Sequence, residues 1–366
     1  MAQPRQSLIE IDGAQGEGGG QVLRSALTLS ALTGHGVYLY NIRASRSKPG
    51  LMAQHLKSVD ATAAVCKASV DGASINSTSL TFRPSGLRSG RYRFEIGTAG
   101  ATSLVLQTIF LPLSFLSSSS SVMISGGTHV PWSPCYHYLA LNWLPVLQQM
   151  GFDAQVDFEQ AGFYPSGGGR IQSTIRPAIA ISPLTLTERG KLLHIHGISA
   201  VANLPISIAD RQKRQALLRL QKLYLGTAPE LRIQVQQLQS PAKGTFLLLL
   251  AEFESGRCCY FGLGALGKPA ERVADEAVDA LLSFLDTDGA IDQYLADQLL
   301  IPLSLANGPS ELCTSRVTEH LLTNAAVLHA FLPTRIEIQG ALGQPGLIRV
   351  TPPDSTKVPI GQSHAG

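Results

Sequence analysis

The sequence has few charged residues, and its hydrophobic runs are short. Charged residues make up 15% of the 366 positions and hydrophobic residues 44%, so the chain can bury a core and lacks the composition of a disordered protein. A net charge of +3 excludes a histone-like polycation. The most apolar stretches, 103–116 and 245–251, are too short to cross a bilayer. We therefore expect a globular protein with no membrane-spanning segment.

Cysteines are also few, and their arrangement excludes a disulfide framework. The five cysteines are odd in number, form no C-x-x-C motif and include the adjacent pair Cys258 and Cys259. This pattern suits neither a disulfide nor a zinc site. The first ten residues contain no apolar run of the kind found in signal peptides. Cysteine usage predicts a reducing compartment, and we expect a cytoplasmic protein.

The charges that are present lie unevenly along the chain. Residues 1–100 contain eleven Lys and Arg against six Asp and Glu, so this part has an excess of five positive charges. The remainder is slightly acidic, because the whole chain has a net charge of +3. A locally basic surface on a nearly neutral protein suits an anionic ligand bound at one place.

Three apolar helical segments that share a Leu–Ser step predict an internal repeat. Their sequences are LTLSALTG, LPLSFLSS and IPLSLANG, and they lie at 27–34, 111–118 and 301–308. Each ends in a small-residue stop and is followed by a second helical pattern. The second patterns lie at 50–64, 135–150 and 318–331. With the β-type runs between them, one repeat comprises strands plus two helices and about 85 residues.

Unequal spacing of the repeats predicts an inserted domain. The aligned serines, Ser30, Ser114 and Ser304, are separated by 84 and then 190 residues. The longer interval predicts a small α/β domain at 187–288, because strand and helix patterns alternate there. Two helices are predicted within it, at 208–225 and 271–284. The fold class predicted is α/β (α+β), with a large domain of three β/α repeats at 1–186 and 289–366.

A glycine-rich segment near the N-terminus is the most unusual motif of the chain. Four of the five residues from Gly16 to Gly20 are glycine, and a helical pattern follows directly. Such a loop lets backbone N–H groups approach a phosphate at a helix N-terminus. Glu17 inside it would be the obvious ligand for a hard divalent cation. A glycine-rich turn with an incidental exposed glutamate would have the same composition.

A second glycine pattern, GLGALG at 262–267 followed by Lys268, fits both G-x-G-x-x-G and the start of a P-loop. Pro269 stands where a P-loop needs a Ser or Thr hydroxyl. A dinucleotide fold needs a helix that opens on the third glycine, whereas Lys–Pro follows it here. We interpret both matches as chance.

A basic turn precedes the second helical pattern. Arg43, Arg46 and Lys48 lie in this turn, and Gln54 and His55 fall in the first turns of the helix that follows. Cations combined with a helix N-terminus bind phosphate oxygens favourably. The alternative is a solvated basic loop with no ligand.

Polar residues interrupt two otherwise apolar helical patterns. Gln107 is a lone amide in the segment 103–116. Tyr294, Asp297 and Gln298 stand at i, i+3 and i+4, so they share one helix face. Such polar groups either form a hydrogen-bonded network in the core or line a binding site. A carboxylate with two hydrogen-bonding neighbours suits a nucleoside.

Two histidines, His320 and His329, lie nine residues apart in one helical pattern. Nine residues correspond to about 900° of helix rotation, so the two face opposite sides and only one can point into a given cleft. His320 is in the first turn, where the helix dipole favours a nearby phosphate and a neutral, nucleophilic imidazole. A structural role is compatible with the same position.

Taken together, these segments resemble the RNA 3'-terminal phosphate cyclase family. The matching segments are DGAQGEGGGQVLRSAL, IRASRSKPGL with QHL, GTAGATSLVLQ, SGGT, GFYPSGGG, LTERG, YLADQL and HLLTN. They cover both ends and the middle of the chain, whereas the predicted insert beyond Gly190 matches weakly. The resemblance implies a large domain of three repeats similar to the C-terminal domain of translation initiation factor 3, with a smaller α/β domain inserted.

The resemblance also implies roles for individual residues. His320 would be the adenylylated histidine, and Glu17 would be the ligand of a divalent cation, Mg²⁺ or Mn²⁺. The ATP-contacting positions would be Gln107, Pro134, Tyr294, Asp297 and Gln298. The residues that bind phosphate or the RNA end would be Arg24, Arg43, Gln54 and His55. One branch of the family, the cyclase-like proteins of ribosome biogenesis, lacks the histidine, so its retention here argues for an active enzyme.

The implied activity is the ATP-dependent conversion of an RNA 3'-phosphate end into a 2',3'-cyclic phosphodiester. It would proceed through a covalent histidine–AMP and an RNA-(3')pp(5')A intermediate. The implied partners are ATP and an RNA with a 3'-phosphate end. Two alternatives remain: a non-catalytic RNA-processing protein, and an enolpyruvyl transferase of related architecture, which would use no covalent histidine.

Overall fold

A computed structural model describes residues 7–221 and 230–353 of the chain. The fold is mixed α/β, as expected from the sequence, and contains four four-stranded sheets with helices packed on them. Within the described ranges, no helix combines the length and the apolar character needed to cross a membrane.

The first sheet is built from residues 9–83. Its elements are β1 (Ile9–Asp12), α1 (Gly20–Thr33), β2 (Val37–Tyr40), α2 (Ala53–Cys66), β3 (Ser69–Asp71) and β4 (Leu80–Arg83). The strand order is β1-β2-β4-β3, in which β1 and β2 are parallel and the other neighbours are antiparallel. A parallel pair needs a crossover connection, and α1 supplies it.

The second sheet repeats this strand pattern. Its elements are β5 (Arg91–Glu95), α3 (Thr102–Ser114), β6 (Ser120–Gly126), α4 (Tyr136–Tyr138), a π-helical turn (Leu139–Trp143), α5 (Leu144–Gln149), β7 (Ala154–Gln160) and β8 (Gly169–Ile175). The order is β5-β6-β8-β7, again with a parallel first pair. Helix α3 is almost entirely buried, consistent with its apolar sequence.

The next segment holds one strand of the third sheet and then a complete fourth sheet. Its elements are β9 (Thr185–Leu186), β10 (Leu192–Ala202), α6 (Ser207–Gln221), β11 (Glu230–Gln237), β12 (Gly244–Phe253), β13 (Arg257–Leu263) and α7 (Ala270–Leu285). The fourth sheet has the order β11-β10-β12-β13. For the helix predicted at 208–225, residues 222–225 lie outside the described residues. Strand β11 was not predicted.

The third sheet is completed by the C-terminal part of the chain. Its remaining elements are α8 (Gln293–Ser304), β14 (Ser310–Thr314), α9 (Glu319–Phe331), β15 (Arg335–Gln339) and β16 (Gly346–Thr351). The order is β15-β16-β14-β9, and β9 pairs in parallel with β14 although the fourth sheet separates them in the chain. Three sheets therefore share one strand pattern, and the third is interrupted by the fourth.

Arg189 holds together the two chain connections of the interrupting segment. Its guanidinium donates hydrogen bonds to the carbonyl oxygens of Phe284, Leu285 and Gly289 at 3.0–3.2 Å. It also lies over the Phe253 and Phe284 rings, 5.2 and 5.0 Å from their centroids. The polypeptide thus enters and leaves the segment at one place.

The buried apolar side chains form two clusters. The smaller cluster contains only side chains between Ile195 and Phe284. The larger cluster runs through the other three sheets and also includes Phe246, Leu248 and Cys259 from the interrupting segment. This segment therefore has its own core and packs against the rest of the protein as well. Both facts support an inserted domain, whose boundaries at 187 and 288 remain a prediction.

Candidate functional site

A cleft of about 800 Å³ lies where helices α1, α3, α8 and α9 approach β13 and α7. Seven of the residues predicted from the sequence line it, and they are Arg24, Gln107, Pro134, Tyr294, Asp297, Gln298 and His320. The other four, Glu17, Arg43, Gln54 and His55, lie in the glycine loop, the basic turn and the start of α2. Packing of α1 against α3 and α9 joins these distant parts of the sequence.

The glycine loop, residues 16–20, fits closely against α9 and α2. Gly16 has a φ of +61°, and a Cβ atom there would overlap the Oγ1 atom of Thr323. This hydroxyl accepts a hydrogen bond from the N–H of Glu17 at 3.2 Å. A Cβ atom at Gly20 would lie 2.6 Å from Nε2 of His55. Side chains are therefore excluded at both positions, which explains the glycines.

Glu17 contacts both His320 and Arg46. Its Oε1 atom lies 3.6 Å from Nδ1 of His320, and its Oε2 atom is ion-paired with the Arg46 guanidinium. The Glu17 side chain is only 9% exposed, whereas that of His320 is 48% exposed. Glu17 is thus a buried partner of the histidine and not an incidental surface carboxylate.

His320 lies in the first turn of α9, which Thr318 caps by accepting the N–H of Leu321 at 3.1 Å. Partial burial lowers the pKa of His320 below its usual value; Glu17 opposes this shift, and Arg24 and Arg46 reinforce it. The imidazole is therefore neutral at pH 7. Because Nδ1 faces a carboxylate, the proton is favoured on Nδ1, which leaves an unprotonated Nε2. An unprotonated ring nitrogen is what a nucleophile requires.

A divalent cation fits at Glu17 only if a ligand supplies further oxygen atoms. The described residues contain no group of three or more His, Cys, Asp or Glu side chains that could hold a metal. Mg²⁺ is commonly held by one or two carboxylates together with substrate phosphates and water. A single carboxylate of low exposure, where the glycine loop meets the basic turn, suits this second mode.

Arg24 and His55 both lie beside Gly20, since a Cβ atom there would be 2.7 Å from Nη1 of Arg24 and 2.6 Å from Nε2 of His55. Burial lowers the pKa of Arg24 to about 10, against the influence of Glu17 and Asp297, so the guanidinium stays charged at pH 7. Burial, with Arg24 and Arg43 nearby, lowers the pKa of His55 to about 3. Its Nδ1 accepts the N–H of Met52 at 3.1 Å, so the neutral ring carries its proton on Nε2. The pair offers one cationic and one neutral donor.

Two other predicted residues hold backbone in place. Arg43 donates through Nη1 to the carbonyl oxygens of Lys48 and Gly50, both at 2.8 Å. Gln54 accepts the N–H of Ala101 at 2.8 Å, which ties α2 to the start of α3. Within the basic turn it is Arg46, and not Arg43, that contacts Glu17. The sequence pattern did not distinguish these two arginines.

The polar face of α8 lies on the cleft wall. Gln298 accepts a hydrogen bond from Nε2 of Gln107 at 2.7 Å. Asp297 is 7% exposed, and burial is the main cause that raises its pKa well above the usual range, while Arg24 opposes the shift. Tyr294 is 48% exposed. An exposed aromatic face beside two hydrogen-bonding side chains is suited to a nucleoside.

Asp292 fixes the start of α8 and so the position of Tyr294. Its Oδ1 atom accepts the N–H groups of Tyr294 and Leu295 at 3.0 and 2.9 Å. The same carboxylate accepts the Tyr138 hydroxyl at 2.9 Å and the Asn142 amide at 2.7 Å, both from the second repeat. Asp292 is fully buried, and burial raises its pKa. The π-helical turn containing Asn142 is thereby joined to the cleft wall.

The chain matches the family described as RNA 3'-terminal phosphate cyclase over residues 15–338. It belongs to this family. The resemblance found in the sequence is therefore confirmed.

Three curated proteins named RNA 3'-terminal phosphate cyclase illustrate the match. The protein from Ralstonia nicotianae is 44% identical over 336 residues, which cover 90% of this chain and 93% of the relative. The protein from Nostoc punctiforme is 41% identical over 341 residues, with 91% and 97% covered. The protein from Staphylothermus marinus is 41% identical over 349 residues, with 94% and 98% covered.

Among solved structures, the enolpyruvyl transferase NikO from Streptomyces tendae aligns with 95% of this chain and 82% of its own. The TM-score is 0.22 and the identity 10%, so this likeness carries no argument about fold or function.

Several cleft residues of this cyclase family member were missed in the sequence. Asn324 donates to the backbone carbonyl of Asp297 at 2.7 Å, and its side-chain oxygen accepts the Ser25 hydroxyl. Lys268, in the glycine pattern interpreted as chance, lines the cleft, and its ammonium donates to the Leu263 carbonyl and to Glu276, both at 2.8 Å. A signal for Asn324 was available in the HLLTN motif, and for Lys268 in GLGALGK.

Proposed function

We propose that the protein is an ATP-dependent RNA 3'-terminal phosphate cyclase that acts through an adenylylated His320. The observation that carries this proposal is the 3.6 Å contact between Nδ1 of His320 and Oε1 of Glu17, with His320 in the same cleft as Tyr294 and Asp297. A nucleophile and a nucleoside-binding face thus share one site. Membership of the family and the printed names of the relatives support the reaction class.

The first step is attack by Nε2 of His320 on the α-phosphorus of ATP, which forms the N–P bond and expels pyrophosphate. The ring becomes positively charged as this bond forms, and the Glu17 carboxylate beside Nδ1 stabilises that charge. Arg24 and Arg46 offset the phosphate charge. A divalent cation, Mg²⁺ or Mn²⁺, held by Glu17 and phosphate oxygens would supply further charge neutralisation.

The second step transfers AMP to the RNA. An oxygen of the RNA 3'-phosphate attacks the phosphorus bound to His320, the N–P bond breaks, and RNA-(3')pp(5')A forms. We assign to the guanidinium of Arg24 and the Nε2–H of His55, which both lie beside Gly20, the role of holding oxygens of the terminal phosphate. The basic turn with Arg43 and the Gln54 side chain supports this region.

The last step closes the ring. The neighbouring 2'-OH attacks the 3'-phosphorus and loses its proton to water, the P–O bond to AMP breaks, AMP leaves, and the 2',3'-cyclic phosphodiester remains. Since this step is intramolecular, correct placement of the ribose and the phosphate supplies most of the catalysis.

A non-catalytic RNA-processing protein is the second candidate function. Such a protein would have no use for an unprotonated Nε2 beside a buried carboxylate, so the pairing of His320 with Glu17 favours the enzyme. An enolpyruvyl transferase would not become labelled by ATP. The cytoplasmic location expected from the cysteine usage belongs to the same proposal.

The proposal is tested by incubating the protein with α-labelled ATP and Mg²⁺ or Mn²⁺, with and without an RNA that ends in a 3'-phosphate. We expect an acid-labile label on the protein that is chased into AMP when RNA is added, together with formation of cyclic ends. Absence of both the label and the cyclic ends would reject the enzyme.

A further inference from the structure

The loop between His129 and His137 presents a tryptophan at the cleft. Trp132 is 100% exposed and has a φ of +64°. Residues 131–134 all contribute to the cleft wall. A large aromatic side chain in water and a left-handed backbone conformation at a non-glycine residue are both unfavourable. Outliers of this kind concentrate at functional sites, so the position calls for a ligand.

A buried pair of histidines closes the base of this loop. Nε2 of His129 lies 2.8 Å from Nδ1 of His137, and the two side chains are 1% and 8% exposed. The N–H of Tyr136 donates to the Thr128 carbonyl at 2.9 Å across the same base. The His129 ring also stacks on Phe246 of β12, with centroids 4.4 Å apart. We call the hydrogen-bonded pair His129 and His137 the histidine clasp.

The hydrogen-bond directions in the histidine clasp follow from its neighbours. The Thr128 hydroxyl accepts the N–H of Gly162 at 2.9 Å and lies 2.9 Å from Nδ1 of His129. If the hydroxyl donates to Nδ1, the His129 Nε2–H donates to Nδ1 of His137, so each of these two hydrogen bonds has one donor and one acceptor. Two neutral rings therefore hold the base of the loop together.

We propose that Trp132 is a stacking platform for a nucleobase in the cleft, positioned by the histidine clasp. Every nucleobase offers a π face to an aromatic ring, and an exposed indole is a strong partner for it. Tyr294 supplies another exposed aromatic side chain in the same cleft. The identity of the ligand rests on the proposed function. Two nucleobases could stack on Trp132: the base of ATP and the base at the RNA end.

Intrinsic fluorescence tests this proposal, because the chain has only two tryptophans. Trp143 is 3% exposed and packs edge-on against Phe110, with centroids 4.9 Å apart. In a Trp143→Phe variant, Trp132 is the sole tryptophan fluorophore. Comparison of the unmodified protein with Trp132→Phe isolates the same signal if the Trp143→Phe variant does not fold.

The variant is titrated separately with an α,β-methylene ATP analogue and with a short RNA that ends in a 3'-phosphate. We expect one of them to quench Trp132 and to protect it from acrylamide. Quenching by the analogue assigns the platform to the nucleotide base, and quenching by RNA assigns it to the RNA base. Saturating binding of both ligands without a change in Trp132 fluorescence would overturn the proposal.

Steady-state kinetics supply a second readout. Trp132→Ala is expected to raise the KM for the stacked ligand by roughly tenfold with little change in kcat, and Trp132→Phe to restore most of the loss. His137→Leu removes the acceptor at the base of the loop and should raise the same KM, whereas His137→Asn retains an acceptor there. An unchanged KM in Trp132→Ala contradicts the platform.

The proposed function and the platform can fail separately. Quenching of Trp132 by the nucleotide analogue without any AMP label on the protein would reject the cyclase reaction and retain the stacking role. Normal AMP labelling, with no quenching and an unchanged KM in Trp132→Ala, would reject the platform alone.

Discussion

The Nδ1 atom of His320 lies 3.6 Å from the Oε1 atom of Glu17, although the two residues come from opposite ends of the chain. The packing of α1 against α9 creates this contact, and Thr323 anchors the glycine loop that carries Glu17. The carboxylate therefore faces Nδ1, and the other ring nitrogen, Nε2, is left free to attack.

Loss of His320 should abolish protein adenylylation. His320→Ala removes the proposed nucleophile, so no label from α-labelled ATP should remain on the protein. His329→Ala is the matched control, because His329 lies on the same helix, is exposed and does not line the cleft. Gel autoradiography of the two variants decides the point, and label retained on His320→Ala would contradict the assignment.

Loss of the Glu17 carboxylate should change the metal requirement. We expect Glu17→Ala to weaken adenylylation and extra Mg²⁺ or Mn²⁺ to restore part of the rate, because phosphate oxygens would still hold the cation. Glu10→Gln is the control, since Glu10 is an exposed carboxylate on β1. The measurement is the adenylylation rate against metal concentration. Identical titration curves for Glu17→Ala and the unmodified protein would exclude a metal role.

The low-pH side of the pH–rate profile of adenylylation should shift in opposite directions in two variants. Protonation removes the nucleophile, so the rate falls as the pH drops through the lowered pKa of His320. Glu17 raises this pKa and Arg46 lowers it. Glu17→Gln should therefore shift this side of the profile to lower pH and Arg46→Ala to higher pH. Single-turnover rates at a series of pH values test this, and shifts in the same direction would count against it.

Arg43→Ala should impair the RNA step more than the ATP step. Arg43 holds the carbonyl oxygens of Lys48 and Gly50, so its loss loosens the basic turn expected to receive the terminal phosphate. Adenylylation of His320 should survive better than formation of cyclic ends. Arg88→Ala removes one exposed positive charge elsewhere and is the control. Equal loss of both steps would assign the turn to ATP alone.

The histidine clasp should make the protein less stable in acid. Burial lowers the pKa of His137 to about 4, so between pH 6.5 and 4 the unfolded chain takes up a proton that the folded protein refuses. The free energy of unfolding should then fall by about 1.4 kcal/mol per pH unit for this imidazole as the pH drops. Its contribution is fully present above pH 6.5.

Buried Asp292 and Asp297 act in the opposite sense, because their raised pKa values let the folded protein bind protons first. Urea unfolding of His137→Asn and of the unmodified protein at several pH values isolates the imidazole. The variant should lose less stability on acidification, and parallel curves would show that His137 does not stay neutral.

The glycine loop shows how much of the site is readable from sequence. The run of glycines, the following helix and the position of Glu17 are local features, so the sequence alone offered a phosphate-binding loop there, with an ordinary glycine-rich turn as the alternative. The sequence could not show why position 16 must be glycine, because the atom that excludes a side chain there belongs to Thr323 on α9. Likewise, the rotation between His320 and His329 follows from helix geometry, but the choice of His320 for the cleft depends on the packing of α9.

The sequence by itself determined the helices and some of the strands, because hydrophobic periodicity and stop signals act between near neighbours in the chain. It also determined the family, through motifs spread over the chain. Only the tertiary structure decided that β9 pairs with β14 across the fourth sheet, that Arg46 and not Arg43 contacts Glu17, and that Lys268 and Trp132 reach the cleft. These contacts join segments far apart in sequence, and their geometry is set by how the sheets and helices pack together.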